Sequence, residues 1–429
     1  MLTQAPKGTR DITPEQSHLW HYMEDAMRAA CAAAGYREAR TPVFEHTELF
    51  LRGIGDTTDV VQKEMYTFTD KGGRSVTLKP EGTAGVVRML VEHKLFAEAL
   101  PAKMYYVSCP NFRYEKPQNG RLREFHQFGV EAFGAPQATV DAEQIALAWD
   151  LLTGLGLTGL SLHVNSIGCP VCRPVFHERL QAFLVERLDK LCDTCQERFT
   201  RNPMRILDCK SPDCQAQLVG APRVLDCLCP DCRAHMQTLQ ETLTRIAIPF
   251  ELDPGIVRGL DYYTKTVFEI IAQMPGGSLT VCGGGRYDGL TEALGGPALP
   301  GVGFGMGMER VLMLLDAQGK APPLPPQVQV YVCTQGDAAR DAALPLAQNL
   351  RRAGVAADCD HMGRSLKAQF KHADKCGARL VLVLGEAELL AETVTLRDMR
   401  TRQETQVPLP ALTEAVLACL AQGGLTPVN

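Results

Sequence analysis

The sequence of 429 residues has no long hydrophobic run. No uninterrupted apolar stretch approaches the roughly 20 residues that a helix needs to cross a bilayer, so we expect no membrane span. The first residues, MLTQAPKGTRDITPEQ, contain no apolar core of the kind found in secretory signals. Both absences predict a cytoplasmic protein without a membrane partner.

Excess positive charge is also missing, since the formal net charge is −5. This charge disfavours a surface that is basic throughout, but it leaves room for a local basic patch that binds nucleic acid. Hydrophobic residues make up 45% and charged residues 22% of the chain, which excludes a mostly disordered or fibrous protein. The length predicts two or three domains.

Cysteine is plentiful but unevenly spread. Nine of the 16 cysteines lie between Cys169 and Cys232. In a cytosolic chain of this length, such clustering favours metal binding over disulfide bonds.

The proline-rich segment KAPPLPPQ divides the sequence, and we predict a linker over residues 321–327. Residues 328–429 alternate strand and helix patterns, which predicts an α/β domain with a largely parallel sheet. Residues 1–320 predict an α+β domain, an antiparallel sheet flanked by helices, with strands that include residues 257–271. A helical, cysteine-rich insertion over residues 169–245 interrupts this domain.

Glycine occupies every second position of the segment GVGFGMGMER, from Gly301 to Gly307. Such spacing clears one face of a strand, so that a flat ligand can lie against the backbone. Arg310, at the start of the following helix, could then reach an anionic group. The alternative is a loop or plain close packing at glycine. The run is neither a Walker A loop nor a GxGxxG dinucleotide motif.

A second segment, FRYEKPQNGRLREFHQFGVE, reads as a long antiparallel hairpin. Arg113 and Glu115 lie near the end of its first strand. Alternate residues of its second strand share one face of the sheet: Phe125, Gln127, Gly129 and Glu131. The charges could form a solvated face, but Phe125 and Phe128 on opposite faces favour a lined pocket.

Several further strings accompany these two segments: ARTPVFEHTELF around Pro42, LKPEGTAGVVR (78–88), IVRGLDYYT (256–264) and GGGRYDGL (283–290). In chain order, the Pro42 string, the hairpin and the glycine run resemble motifs 1, 2 and 3 of class II aminoacyl-tRNA synthetases. The IVRGLDYYT and GGGRYDGL strings are those of the histidyl-tRNA synthetase family. The resemblance covers nearly the whole chain.

The resemblance implies ATP-dependent ligation of L-histidine to tRNA(His) through a histidyl-adenylate, with release of pyrophosphate and AMP. It also implies a class II catalytic domain, a homodimer and Mg²⁺ bound with ATP. The family pattern implies that Arg258 and Arg113 are catalytic, since a permanently charged arginine fork suits phosphate oxygens. The ATP-binding residues would be Arg113, Glu115, Phe125 and Arg310.

The histidine pocket implied by the resemblance combines charged and phenolic side chains. A site with polar partners rejects amino acids of similar size, because a wrong ligand leaves a buried group unpaired. Its residues would be Glu81, Thr83, Gln127, Glu131, Arg258, Tyr262 and Tyr263.

The insertion contains cysteines in pairs that suit tetrahedral zinc. Two sites of four thiolates would use eight cysteines and leave Cys227 spare: Cys169, Cys172, Cys192, Cys195, Cys209, Cys214, Cys229 and Cys232. Structural Zn²⁺, reduced buried thiols and disulfides all remain open. His177 and His235 are either substitute ligands or plain surface residues.

By the resemblance, residues 328–429 bind the anticodon. Arg364, Lys367, Lys371 and Lys375 form a basic stripe on one helix face, although a solvated face is the alternative. In the hairpin loop, four polar residues could approach the acceptor end of the tRNA: Lys116, Gln118, Arg121 and Arg123.

Two other functions compete with this interpretation. The first is a non-catalytic relative that serves as regulatory subunit of ATP phosphoribosyltransferase, which lacks the anticodon domain and loses ATP-binding arginines. Arg113, Arg258 and Arg310 are all present here, which favours the enzyme. The second is a class II synthetase for another amino acid, against which IVRGLDYYT argues.

Overall fold

The computed structural model describes residues 3–55, 58–118, 120–209, 211–256 and 260–422. The chain divides into two compact units at the Pro322–Pro323 bond, inside the proline-rich segment. Arg258 lies outside the described residues. Within the described ranges, no helix is both long enough and apolar enough to cross a membrane.

The first unit contains most of the strands. In chain order they are β1 (Arg37–Glu38), β2 (Phe44–His46), β3 (Tyr66–Thr69), β4 (Ser75–Leu78), β5 (Ala102–Phe112), β6 (Glu124–Phe133), β7 (Leu160–Ser166), β8 (Glu251–Leu252), β9 (Thr264–Met274), β10 (Gly277–Arg286) and β11 (Gly301–Gly307).

The helices of the first unit are α1 (Pro14–Ala33), α2 (Thr47–Ile54), α3 (Thr83–Glu92), α4 (Ala138–Gly154), α5 (Cys172–Leu184), α6 (Asp193–Arg201), α7 (Pro212–Gln217), α8 (Pro230–Arg245), α9 (Leu290–Ala293) and α10 (Met308–Ala317). A π-helical turn covers Val60–Glu64. Short 3₁₀ turns cover Leu95–Ala97, Val185–Lys190, Pro203–Ile206 and Val224–Cys227.

Eight strands form the main sheet, in the order β1-β5-β6-β11-β10-β9-β7-β8. Neighbours are antiparallel except at the two edges, where β1 pairs with β5 and β7 with β8 in parallel. Helix α1 buries Met23, Met27 and Cys31 in the core, because their spacing of four residues forms one apolar stripe. The predicted α+β fold with a largely antiparallel sheet is confirmed.

Helices α5 to α8 lie between β7 and β8 and form the insertion, so its predicted helical character is also confirmed. Phe176, Leu180 and Leu184 of α5 are completely buried at intervals of four residues. They belong to the same apolar core as the main sheet. The insertion therefore shares the hydrophobic core of the first unit.

The strand predicted over residues 257–271 was wrong at its start, since β9 begins only at Thr264. The amide of Asp261 donates to the carbonyl of Ile54 instead of to a sheet neighbour. The rings of Tyr262 and Tyr263 lie 4.7 Å apart, whereas successive side chains of a strand point to opposite faces. Residues 261–263 are thus not part of the strand.

The second unit is an α/β fold, as predicted. Its elements are β12 (Val330–Thr334), α11 (Asp337–Arg352), β13 (Ala357–Cys359), α12 (Leu366–Lys375), β14 (Leu380–Leu384), α13 (Glu386–Leu390), β15 (Thr393–Asp398), β16 (Glu404–Pro408) and α14 (Leu412–Gln422), with a 3₁₀ turn at Leu409–Ala411. The strand order is β13-β12-β14-β15-β16. Strand β12 pairs in parallel with both β13 and β14, whereas the β14–β15 and β15–β16 pairs are antiparallel. The sheet is therefore mixed.

Candidate active site and cysteine clusters

A buried pair of carboxylates lies where α3 meets the main sheet. Glu81 precedes α3 and accepts hydrogen bonds from the amides of Thr83 and Ala84, at 2.7 and 2.8 Å. The hydroxyl of Thr83 donates to Glu131 Oε1 at 2.7 Å. Glu81 therefore caps the helix whose first residue contacts Glu131, and the three predicted pocket residues lie together.

Glu131 is completely buried on β6. Burial raises the pKa of this carboxyl to about 8, although hydrogen bonds from Tyr287 and Thr83 act in the opposite direction. A cation brought within a few ångströms would favour the ionised form of this carboxyl group.

Tyrosine rings surround this carboxylate. The hydroxyl of Tyr287 donates to Glu131 Oε2, and that of Tyr106 lies 3.4 Å from Oε1. The ring of Tyr262 lies 5.5 Å from that of Tyr287. Burial raises the pKa of Tyr262 well above its usual value, and Tyr263, Glu81 and Glu131 raise it further. The predicted tyrosines thus share one pocket with Glu131.

Tyr106 and Tyr287 were missed by the sequence reasoning. Tyr287 stood inside the GGGRYDGL string but was given no role, and Tyr106 read as an ordinary strand residue. A Cβ on Gly129 would lie 2.2 Å from Tyr106 Cζ. A glycine that lies opposite an aromatic residue on the neighbouring strand was the sequence signal that could have identified Tyr106.

The glycine face of β11 is filled by protein side chains. Gly303 is the register partner of Glu131, and Gly307 that of Gln127. A Cβ on Gly305 would lie 2.0 Å from Gln127 Nε2, and one on Gly301 would lie 2.4 Å from Tyr287 Cε2. The glycines thus make room for pocket side chains, rather than directly for a flat ligand.

Gln127 is held by Asn111, another residue that the sequence reasoning missed. Asn111 Nδ2 donates to Gln127 Oε1 at 3.2 Å and to the carbonyl of Cys109 at 3.1 Å. Asn111 is completely buried, and its Oδ1 has no hydrogen-bond partner among the residues that the structure describes.

Arg113 follows β5 and lies against the predicted adenine-stacking ring. Its Nε donates to the carbonyl of Pro80 at 2.8 Å, and its guanidinium carbon lies 5.7 Å from the ring centre of Phe125. Glu115 is 3.6 Å from Arg121 across the hairpin loop. These four residues line one end of the site.

Arg310 lies in the first turn of α10. Its Nε donates to the carbonyl of Gly120 at 3.0 Å, and its Nη1 donates to that of Thr280. Burial lowers the pKa of Arg310, and the nearby charges of Arg121 and Arg113 lower it further. Arg310 therefore lies near two other arginines, with the carboxylates of Glu115 and Glu269 also close by, and such a group of cations suits a polyphosphate.

Glu309, the residue before Arg310, holds helix α10 against the main sheet. Both oxygens of Glu309 accept from the amide of His126, at 2.8 and 3.1 Å, and Oε1 lies 2.9 Å from His126 Nδ1. Glu309 thereby fixes the start of α10 against β6, between Phe125 and Gln127. This contact positions Arg310 relative to the pocket.

In the hairpin loop, three of the four predicted acceptor-end residues already make contacts within the protein. The guanidinium of Arg123 lies 4.1 Å from the ring centre of Tyr114 and donates to the carbonyl of Glu115 at 3.1 Å. Gln118 and Arg121 exchange backbone hydrogen bonds. The loop is thus a folded turn with Tyr114 56% exposed.

In the second unit, α12 buries Gln369 and Ala373 and exposes the opposite face. Lys367, Lys371 and Lys375 are exposed on that face. Arg364 instead pairs with the buried Asp360, at 2.9 Å. The basic stripe therefore consists of the three lysines.

The eight insertion cysteines form two groups of four: Cys169, Cys172, Cys229 and Cys232 in cluster A, and Cys192, Cys195, Cys209 and Cys214 in cluster B. Within each cluster, all four sulfur atoms lie within 4.8 Å of one another. The Cys169–Cys172, Cys169–Cys229 and Cys192–Cys209 sulfurs are 3.6, 3.8 and 3.9 Å apart. Four thiolates around zinc at about 2.3 Å are separated by about 3.8 Å, whereas a disulfide requires about 2.05 Å.

Backbone amides also point at these sulfurs. The amide of Cys229 donates to Cys172 Sγ at 3.1 Å, and that of Cys192 donates to Cys214 Sγ at 3.2 Å. Such hydrogen bonds stabilise metal-bound thiolates. None of the sixteen cysteines, all of which lie in the described ranges, forms a disulfide, and Cys227 belongs to neither cluster, as the sequence predicted.

Of the two histidines suggested as surface residues or substitute ligands, His235 is neither. His235 has only 8% of its side chain exposed and lies 2.6 Å from Asp141, a carboxylate that also accepts from Arg286 and Thr266. His177 is half-buried, and its Nε2 has no hydrogen-bond partner in the described part of the chain. Sequence spacing could not reveal the buried carboxylate that holds His235.

Comparison with known proteins gives two family matches. Residues 8–178 and 216–311 match the family model "Histidyl-tRNA synthetase". Residues 327–418 match the model "Anticodon binding domain". The stretch between the two parts of the first match falls inside the cysteine-rich insertion.

Individual relatives match over nearly full length. The chain is 53% identical to the histidine–tRNA ligase of Alkaliphilus oremlandii and 54% identical to that of Moorella thermoacetica, in both cases over 96% of this chain and 98% of the relative. The crystal structure of apo histidyl-tRNA synthetase from S. aureus matches with a TM-score of 0.83 and 38% identity, over 96% of this chain and 99% of that one.

Proposed function

The chain belongs to the histidyl-tRNA synthetase family, from which we infer that it ligates L-histidine to tRNA(His) with ATP. The histidine carboxylate attacks the α-phosphorus of ATP, and pyrophosphate leaves. A terminal hydroxyl of the tRNA then attacks the carbonyl carbon of histidyl-adenylate, and AMP leaves. The observation that carries this function is a buried carboxylate–tyrosine pocket on the same sheet as Arg113 and Arg310, two arginines close enough for each charge to influence the other.

For ATP, we propose that Arg113 binds the α-phosphate, that Arg310 binds the γ-phosphate, and that Phe125 stacks on adenine beside Glu115. The contact between Arg113 and Phe125 supports this arrangement, because only the ribose separates adenine from the α-phosphate in ATP. Phosphoryl-group chemistry needs positioning and charge neutralisation more than a protein nucleophile. Arg258 is the second proposed catalytic arginine, by the family pattern alone.

For histidine, we propose a pocket of Glu81, Thr83, Gln127, Glu131, Tyr262 and Tyr263 with Arg258. Glu131 would ionise on meeting the cationic substrate, and Tyr287 would hold the carboxylate in place through its hydroxyl. An amino acid without a polar ring would leave buried polar groups unpaired, which the site penalises.

The family uses ATP with Mg²⁺, and the ATP-binding end has hard oxygen ligands that suit this ion. The carboxylates of Glu115 and Glu269 are close enough to Arg310 to raise its pKa, against the effect of burial. We propose that these two residues would hold Mg²⁺, which would supply charge neutralisation to the phosphates of bound ATP.

We further propose one structural Zn²⁺ in each cysteine cluster. The sulfur separations and the amide hydrogen bonds support this assignment. Both clusters are closed sets of four thiolates, so their role would be structural and not catalytic.

The proposed partners are tRNA(His), bound at the anticodon by the second unit, and a second copy of the chain in a homodimer. The exposed lysines of α12 support the first contact. Near the motif 1 proline, Val43, Phe44 and Phe68 are 41%, 54% and 49% exposed, and an apolar surface of this kind supports the second contact. The proposed location is the cytoplasm.

Histidine-dependent exchange of label between ATP and pyrophosphate tests the enzyme against the regulatory relative. We expect exchange with histidine and with no other amino acid, and a large loss of exchange in an Arg258→Ala variant. Protein that binds histidine without catalysing exchange would instead be a regulator.

A further inference from the structure

The insertion contacts the loops beside the active site through a few polar side chains. Asn202 Nδ2 donates to Asp261 Oδ1 at 3.2 Å, and Arg205 Nη2 lies 3.7 Å from the same oxygen. Nearby, Arg198 Nη2 donates to Asp59 Oδ2 at 3.1 Å. These three residues belong to α6 and the turn after it, between Cys195 and Cys209 of cluster B.

Asp261 directly precedes the two pocket tyrosines. Its amide donates to the carbonyl of Ile54 at 3.2 Å. A Cβ on Gly55 would lie 2.9 Å from Asp261 Oδ2, so only glycine leaves this carboxylate its space. Asp261 is therefore held between the end of α2 and the insertion. Because Tyr262 follows directly in the chain, the position of Asp261 also sets the position of the Tyr262 backbone.

Cluster A contacts the same turn from another direction. Arg173, the residue after Cys172, donates to the main-chain carbonyl of Tyr263. Burial lowers the pKa of Arg173, while the charge of Asp261 raises it. The backbone of Tyr263 and the side chain of Asp261 are thus both held by residues of the insertion.

The contact with Asp59 reaches towards the ATP side. Asp59 precedes the π-helical turn Val60–Glu64. The carbonyl of Glu64 accepts from the amide of Tyr114 at 2.7 Å, one residue beyond Arg113. Asp59, Arg198 and Arg205 line a cleft of about 420 Å³ between this segment and the insertion.

We propose that Asn202 and Arg205 are positioning residues for histidine, which set the Tyr262–Tyr263 segment of the pocket through Asp261. The inference rests on the proposed function, since it assigns these tyrosines to the histidine site. The charge-assisted contact is partly buried, with 16% of the Arg205 and 30% of the Asp261 side chain exposed. Pairs of this kind contribute more than exposed ones.

The test combines Asn202→Ala and Arg205→Gln in the full-length protein and measures pyrophosphate exchange. We expect the KM for histidine to rise about tenfold, with the KM for ATP and the zinc content unchanged. The matched control is Arg179→Gln, because Arg179 is an exposed insertion arginine beside Cys227 and far from both loops in its contacts. That variant should keep the wild-type KM values.

A merely structural role would lower the melting temperature without changing the KM for histidine, and that result would overturn the proposal. An unchanged KM and melting temperature would overturn it equally. A double-mutant cycle with Asp261→Asn supplies a second measurement, in which the effect of Arg205→Gln should disappear. Wild-type protein without exchange would contradict the proposed function instead, so the two failures are distinguishable.

Discussion

The carboxylate of Glu131 occupies the space where a side chain at position 303 would be. The two residues are register partners on β6 and β11, and a Cβ on Gly303 would lie 1.9 Å from Glu131 Oε2. The absence of a side chain at Gly303 on β11 therefore shapes the pocket as much as the carboxylate of Glu131 on β6 does.

Gly303→Ala should displace Glu131 and reduce histidine-dependent exchange about 100-fold, because small misplacements in an active site have effects of this size. Overpacking should also lower the free energy of unfolding by about 1–3 kcal/mol. Gly154→Ala is the control, since no atom lies within 4 Å of its added Cβ. Exchange kinetics and denaturant titration measure both effects, and normal exchange by Gly303→Ala would contradict the pocket assignment.

The raised pKa of Glu131 predicts two pH dependences. The folded carboxyl, with a pKa of about 8, binds a proton more tightly than the unfolded one at about 4.3. This group therefore lowers the free energy of unfolding as the pH rises from about 4.3 to about 8, and has no further effect above that.

Histidine should bind the ionised form, so the KM for histidine should fall as the pH rises from about 7 to about 8.5. Glu131→Gln should abolish both dependences, with the hydrogen bond from Thr83 retained. Stability and exchange kinetics across this pH range check them. Equal pH profiles for the two proteins would show that Glu131 does not titrate in this range.

Arg310→Gln should reduce kcat/KM for ATP about 100-fold, because it removes a preorganised cation from the polyphosphate region. Arg310 donates to the carbonyls of Gly120 and Thr280, so its guanidinium group is already in position before ATP binds. The control is Arg40→Gln, whose side chain is 82% exposed and pairs with Glu38. A change confined to the KM for histidine would contradict the assignment of Arg310 to ATP.

Elemental analysis of the reduced protein should find about two zinc ions per chain, from two closed sets of four thiolates. Cys172→Ser should remove the ion of cluster A and keep that of cluster B, whereas Cys227→Ser should keep both. Metal loss should also lower the melting temperature, because binding a structural zinc contributes to folding. Folded wild-type protein without metal would refute the zinc proposal.

The chemistry-bearing strings could be predicted from the sequence, because each depends on spacing within one strand or helix. Phe125, Gln127 and Glu131 share a face through the two-residue period of β6, and Cys169 and Cys172 approach each other through a single turn. The family match supports the activity that these strings predicted. The placement of Arg258 stays a prediction, since it lies outside the described residues.

Contacts between distant segments depended on the tertiary structure. The sequence predicted two sets of four cysteines but not which pairs combine, and the structure joins Cys169 and Cys172 to the pair that opens α8. It also revealed Tyr287 beside Glu131, and Asn202 beside Asp261. Local spacing fixes neighbours along one element, whereas these partners meet only because separate elements pack into one core.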